Sequence, residues 1–469
     1  MNDTAIYPEL AAAPVWTDRL KSGIWPRSNV YWIGLFYMAL FVVRPWEKLM
    51  PGLADVRFER VTGIMIFLLL AITYKWELRG KLTTVAVVLF AFTMWVTSRF
   101  AYRPELCDAD MNAIASMTIS YFVLLFIIRS PYKLYFAIAS YIVVMFTYVS
   151  KAQWEYFVHG AAQYRMGVKR LQGIDLTFGD PNAFGSAMIC SLPLVYFLYK
   201  VQKDLVRTWP SRYRKWFPRF LHAYSALVLL GVFLTRSRAA IIGLVAFSIM
   251  LSLSAGGVSK KAKRVFILMA VLVCTFFVLP SDMRGRIQTI WDKSVEQGEK
   301  HRGANKSAED RIVGFKLGLQ MFADHPITGV GVGNYKDYRQ QKIDGVFLDS
   351  HNLVAEILSE TGLIGVGAFL FLFTSICLNI RKIRRLTRNN HHPDAQRMRL
   401  LAQCFTFILL LLLLQGISSH NLHRYQWFWS AAFLAIAVKC VRALPFVDEP
   451  QDDEYFDATP TYQPRLASR

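Results

Sequence analysis

Asp349-Ser350-His351-Asn352 stands just ahead of an apolar helical pattern that runs to Gly362. Asp349 or Ser350 can cap that helix, whose first turn would carry His351 and Asn352, and Gly362 would end it before the next apolar run. A helix N-terminus offers free N–H groups and a positive dipole end, which suits an anionic ligand. A histidine there has the pKa range of a general base toward a hydroxyl; the alternative is that His351 caps or packs.

Arginines supply the anion-binding half of such chemistry. Arg236 and Arg238 lie in LTRSRAAIIG (Leu234 to Gly243), and Arg311 lies in DRIVGFKLGLQMFADHPITGVGVGNY (Asp310 to Tyr335). A planar guanidinium fork fits phosphate oxygens bidentately and answers charge that grows on a leaving group. The ordinary alternative is snorkelling toward headgroups for Arg236 and Arg238, and an exposed helix charge for Arg311. Arg165, Lys169 and Arg170 form a further basic group that either funnels an anionic substrate or touches lipid headgroups.

Other motifs are weaker. Asp180-Pro181-Asn182 in FGDPNAFG reads as a turn into an apolar run, with Asp or Asn as cap and Pro at the first helical position; substrate contact is the second reading. Ser-His-Asn-Leu recurs as Ser419 to Leu422, which makes His420 and His423 second-tier candidates. GVGVGNY (Gly329 to Tyr335) lacks the sixth-position glycine of a dinucleotide fingerprint and follows no strand, so it reads as a flexible turn. The outer-loop carboxylates offer no DxD pair and no His/Cys ligand cluster, so neither metal nor cofactor is expected. The six cysteines have no CxxC spacing and imply no disulfide framework.

The elements that must position these residues are membrane helices. Of 469 residues 54% are hydrophobic, and the mean hydropathy is +0.29, well beyond a soluble chain of this size. Runs able to cross a bilayer, which takes roughly 20 residues, fall near 30–44, 61–75, 82–97, 113–128, 134–149, 184–199, 222–234, 239–254, 265–280, 363–380, 400–418 and 427–441. These twelve spans put both ends of residues 30–441 on one side. The net charge of +21 could signal nucleic acid, but 23 Lys and Arg sit in five alternate loops (75–81, 129–133, 200–220, 260–264, 381–399) against Glu77, Asp204 and Asp394. That is the positive-inside pattern, so these loops are expected in the cytoplasm and nucleic acid is set aside. Residues 280–350, with 11 basic and 10 acidic residues, are expected outside, as are 150–183 and 419–426.

Residues 1–29 are expected to be cytoplasmic, without a cleavable signal peptide. The acidic stretch within 442–469 is expected to be a solvated cytoplasmic tail. Within the large outer loop, 280–362, Ser307 and Asp310 resemble a capping box. From there Ile312, Phe315, Leu319 and Phe322 form one apolar stripe up to Asp324-His325-Pro326, an interfacial amphipathic helix that Arg311 would open.

His351-Asn352 followed by Gly362-Leu-Ile-Gly365, together with LTRSRAAIIG, DRIVGFKLGLQMFADHPITGVGVGNY and FGDPNAFG in that family's order, resembles the O-antigen ligase and polymerase superfamily over most of the chain. The resemblance implies an all-α polytopic fold similar to the GT-C class, about twelve spans in the bacterial inner membrane and one large structured periplasmic loop. It implies transfer of a glycan from undecaprenyl pyrophosphate to a hydroxyl, with inversion and without a metal. The acceptor would be a lipid A core sugar, the end of a growing glycan or, third in order, a protein side chain, with other polysaccharide-assembly proteins as partners. It gives Arg238 and Arg311 to the donor pyrophosphate and His351 to the acceptor hydroxyl. Arg236, Asn352, Arg170, Asp180, Asn182 and His420 are secondary candidates for substrate contact. A transporter and a non-catalytic assembly component are the competing classes. Span interiors nearly free of charge, with no internal repeat, speak against transport.

Overall fold

The structure, a computed structural model, describes residues 29–44, 58–73, 80–165, 168–174, 178–207, 209–254 and 299–447, with the backbone alone at 73, 165 and 299–308. The expected span near 265–280, the basic loop 260–264 and the acidic tail beyond 447 lie outside the described residues. The chain is helical almost throughout: α1 (Asn29–Val42), α2 (Phe58–Thr73), α3 (Lys81–Arg99), a 3-10 turn (Pro104–Cys107) leading into α4 (Asp108–Ile127), and α5 (Pro131–Val158). A hairpin of β1 (Gln163–Arg165) and β2 (Val168–Arg170) follows, antiparallel. Then come α6 (Pro181–Leu205), α7 (Ser211–Thr235), α8 (Arg238–Leu253), α9 (Glu299–Asp324), α10 (Tyr335–Tyr338), a π turn (Arg339–Ile343), α11 (Leu353–Leu386), α12 (Pro393–Gly416) and α13 (Tyr425–Arg442).

Seven of these stretches are long and apolar enough to cross a membrane: α3, the 3-10 turn with α4, α5, α6, α7, α11 and α12; α1 and α8 are shorter apolar helices. Ile72, Met65, Phe92, Val85 and Leu68 stay exposed on the flanks, as a bundle bathed in acyl chains allows. The protein is an all-α polytopic membrane protein. Its axis is α13, apolar on every side and buried at 16 of its 18 residues, as a central helix must be. Polar pairs join the helices inside the bundle, among them Tyr141 Oη with Tyr425 Oη at 2.9 Å, Trp429 Nε1 to Ser120 Oγ at 3.0 Å and Ser191 Oγ with Tyr224 Oη at 2.6 Å.

The loops sort to two ends. At one end Arg397 bridges Asp204 (2.6 Å) and the buried Asp394 (2.9 Å), Tyr135 donates to Asp394, Tyr31 donates to the Lys133 carbonyl, and Asn390 donates to the Pro445 carbonyl. Described residues of the basic loops 200–220 and 381–399 thus meet, with Tyr135, just past the loop 129–133, against them, as a shared membrane face requires. Segments 100–107, 159–165, 168–174, 178–183, 234–238, 325–352 and 417–424 gather at the other end.

Two expectations about local structure need correction. The helix carrying Arg311 already runs at Glu299 and passes straight through Ser307, so the SAED motif does not start it and Arg311 is an interior residue of α9. The GVGVGNY turn is not flexible: residues 329–332 are buried, and Gly329, Gly331 and Gly333 all take positive φ to lay their backbone against α11. Gly362 (φ 58°, ψ −161°) breaks α11, which would orphan backbone groups on both sides. The loop answers four of them. Val330 and Gly331 N–H donate to the Ser359 and Glu360 carbonyls (2.7 and 3.0 Å), and Leu363 and Ile364 N–H donate to the Pro326 and Ile327 carbonyls (2.9 and 3.3 Å). A Cβ on Gly329 would meet the backbone of Glu360 and Thr361, and one on Gly362 would meet the Ile327 carbonyl.

Candidate functional site

Most candidate residues sit at a helix end or beside one, for a local reason; Arg311 lies inside α9 and Arg170 on β2. Asp180 caps α6 by accepting from Ala183 N–H (2.9 Å), with Pro181 in the first turn, as the sequence suggested. Ser237 caps α8 by accepting from Ala240 N–H, after Arg236 closes α7 with φ of 51°. Arg238 is therefore the first residue of α8. The N-cap of α11 is Asn352, not Asp349 or Ser350: its Oδ1 accepts from Val354 and Ala355 N–H (2.9 and 3.1 Å). His351 consequently precedes the helix rather than lying in its first turn, with a left-handed φ of 48° unusual for a side chain of its size.

The contacts between these ends close into a ring. Arg170, buried, donates from Nε to the Thr235 carbonyl (2.9 Å) and from Nη2 to Asn182 Oδ1 (3.0 Å); Ser237 Oγ donates to the same Asn182 oxygen (2.7 Å). Arg238, next along, lies within electrostatic reach of Arg311 on α9. One turn beyond Arg311, Gly314 faces the Ser350 backbone at a separation that leaves no space for a Cβ, and Gly318 does the same to Ala355. This is small-xxx-small packing, and it brings α9 against the start of α11. His351 then stacks on His420 with centroids 5.5 Å apart and an interplanar angle of 29°, and their Nδ1 atoms are 3.4 Å apart. Asn352 Nδ2 donates to the Ile417 carbonyl (3.0 Å), fixing the 417–424 loop to the α11 cap. Asp180, Asp349 and Arg424 all act electrostatically on His420, which returns the ring to the start of α6.

The ring separates the candidates by what holds them. Arg238 lies within electrostatic reach of Arg311 and His351 lies against His420, and the Gly314–Ser350 contact links the elements that carry the two pairs. Asn352 and Asp180 are helix caps, and Arg170 with Asn182 ties the hairpin to the α7–α8 junction, so these four have structural duties. Lys169 donates to the Tyr156 carbonyl and lies over that ring at 4.5 Å. Burial, and after it the Arg424 guanidinium, holds the His420 pKa well below the usual imidazole range, so this ring is neutral near pH 7. Neutral His420 can share one proton with His351 through the Nδ1 pair.

Sequence reasoning missed Arg424 and, beside the second-tier candidate His423, the glutamates Glu356 and Glu360. Arg424, the residue before α13, acts on both His420 and Glu356; its only sequence signal is a basic residue in a short outer loop. Glu356, Glu360 and His423 present ligand atoms within 4.8 Å of one another, with Asp110 Oδ1 3.2 Å from His423 Nδ1. This group is neither the DxD pair nor the His/Cys cluster that the sequence was read for: Glu356 and Glu360 are one helical turn apart, and the fold brings His423 and Asp110 to them from distant sequence. Burial opposes charge on His423, but Asp110 and the two glutamates outweigh it and raise its pKa to about 9.

Among the described residues, the bundle brings histidines and arginines to one of its ends. Residues 223–370 match the protein-family model described as O-antigen ligase. That match, over about a third of the chain, supports the resemblance to the O-antigen ligase and polymerase superfamily, and the matched stretch holds Arg236, Arg238, Arg311 and His351. No curated protein matches the chain.

Proposed function

We propose that this protein is an inner-membrane glycosyltransferase that moves a glycan from undecaprenyl pyrophosphate to an acceptor hydroxyl on the periplasmic face, as ligase or polymerase in surface polysaccharide assembly. About twelve spans with both termini in the cytoplasm, and the segment 280–362 in the periplasm, complete the topology. Arg238 and Arg311 hold the donor pyrophosphate, whose charge rises as the anomeric C–O bond breaks. His351 orients the acceptor hydroxyl and takes its proton as the oxygen attacks the anomeric carbon from the opposite face, which inverts that centre. With the shared proton on His351 Nδ1, His420 accepts it and His351 Nε2 is the basic nitrogen. The arginine pair supplies the positive charge for the leaving group, so no metal takes part in this step.

The observation that carries the reading is the ring that sets the His351–His420 pair and the Arg238–Arg311 pair at one end of the bundle. The acceptor is a lipid A core sugar or the growing glycan's terminal sugar, with a protein side chain third. The test is gel analysis of surface glycan in a deletion strain complemented with wild type, Arg311→Ala or His351→Ala. Long chains trapped on the lipid carrier in the deletion mark a ligase, and single repeat units on their acceptor mark a polymerase. Normal glycan with both variants would overturn the site assignment.

A further inference from the structure

Below the His351–His420 pair, the same loop carries His423 into a cluster that the transfer step does not use. Glu356 and Glu360, 7% and 5% exposed, project from one side of α11 above the Gly362 break, and their oxygens lie with a His423 nitrogen inside a 4.8 Å set. Metal–ligand bonds of about 2.0–2.2 Å place the donor atoms around one ion roughly 3–4.4 Å apart, so the side chains are already close to that spacing. Two donor atoms there are buried and make no hydrogen bond: Glu360 Oε2 and His423 Nε2. The other ring nitrogen, Nδ1, is engaged by the Asp110 carboxylate at 3.2 Å. A carboxylate behind one nitrogen of a histidine fixes the tautomer and raises the basicity of the opposite nitrogen, the arrangement behind most histidine metal ligands. Glu356 is held in place by the Leu422 N–H, which donates to its Oε2 (3.3 Å).

We propose that Glu356, Glu360 and His423 bind one divalent cation, with Asp110 orienting His423, and that this ion staples the first turns of α11 to the 417–424 loop and to α4. Two carboxylates and an imidazole favour a borderline first-row ion, zinc or manganese, over calcium or magnesium, which prefer all-oxygen sets. The ion fixes the two segments that carry His351 and His420, and acts on their spacing rather than on the substrate. This site stands independently of the transferase reading.

The test uses the full chain purified in detergent, loaded with Zn2+ or Mn2+, freed of loose metal by buffer exchange and analysed by mass spectrometry for metal per chain, with Tm measured before and after EDTA. The expected result is one equivalent of metal, a fall in Tm on chelation and its recovery when the same ion is returned. Glu360→Gln and His423→Gln should lose the equivalent and the chelator response, while Arg311→Ala keeps both even if transfer is abolished. Should either variant fail to fold, wild-type stoichiometry and its EDTA response decide alone. Wild-type protein that retains neither ion and shows no Tm change with EDTA, Zn2+ or Mn2+ overturns the proposal, as does unchanged metal content in folded variants.

Discussion

If Arg238 and Arg311 hold the donor pyrophosphate as proposed, their planar fork matters beyond their positive charge. Arg311→Lys and Arg238→Lys keep the charge but lose the bidentate geometry, and each charge-assisted hydrogen bond is worth about 1.5–3 kcal/mol, or roughly 10- to 100-fold. Both variants are expected to lose transfer by about that factor without loss of Tm, measured as the rate of glycan release from its carrier. His420 gives a pH signature. Its folded pKa lies below the ordinary 6.5, so below that pH the unfolded chain binds more protons and stability falls as acid is added. Wild-type Tm should therefore drop more between pH 7 and pH 5 than that of His420→Gln. The candidates legible in sequence were those with motif spacing: Arg238, Arg311, His351 and the recurrent His420. The Asp180 cap was legible, but the assignment of Asn352, Asn182 and Arg170 to hydrogen bonds that hold helix ends was not, because a polar side chain near a helix start looks the same whether it caps or binds.

Helix ends set the spacing of the site, and two glycine arrangements set the helix ends. Gly362 takes a conformation open to glycine alone, so Gly362→Ala is expected to cost about 1–3 kcal/mol from strain, with more from collision with the Ile327 carbonyl. A lowered Tm together with lost transfer checks this. Gly318→Leu should push α9 off Ala355 and carry Arg311 away from the Arg238–His351 side; folding should survive while transfer fails, because the remaining bundle contacts do not pass through α9. The break at Gly362 was read correctly from sequence. The start of α9 was not, because SAED satisfies the capping pattern equally well inside a longer helix, where a capping residue is tolerated if its side chain faces solvent. The glycine-rich turn was misjudged as flexible for a related reason: glycines permit both disorder and close backbone docking, and only the partner backbone distinguishes them.

At the scale of the whole bundle, the end remote from the site is fixed by charge. Arg397 lies between Asp204 and the fully buried Asp394, so Arg397→Ala leaves an uncompensated carboxylate and is expected to destabilise the protein by about 3–5 kcal/mol. Transfer per folded molecule should be unchanged, since the site is at the other end; a Tm drop with preserved specific activity checks both. Eleven of the expected apolar runs coincide with described helices, because a bilayer imposes length and hydrophobicity on any span. The 3-10 turn at Pro104–Cys107 and the placement of α13 at the axis depend on packing and escaped the sequence. The central claim, that one end of this bundle transfers glycan using a histidine base and an arginine pair, is tested most directly with purified protein, a purified undecaprenyl-pyrophosphate glycan and a hydroxyl acceptor. Metal content should be matched between wild type, His351→Ala and Arg311→Ala. Product from wild type, and loss of at least tenfold in each variant at unchanged Tm and metal content, is the expected result; wild-type rates in both variants would contradict it.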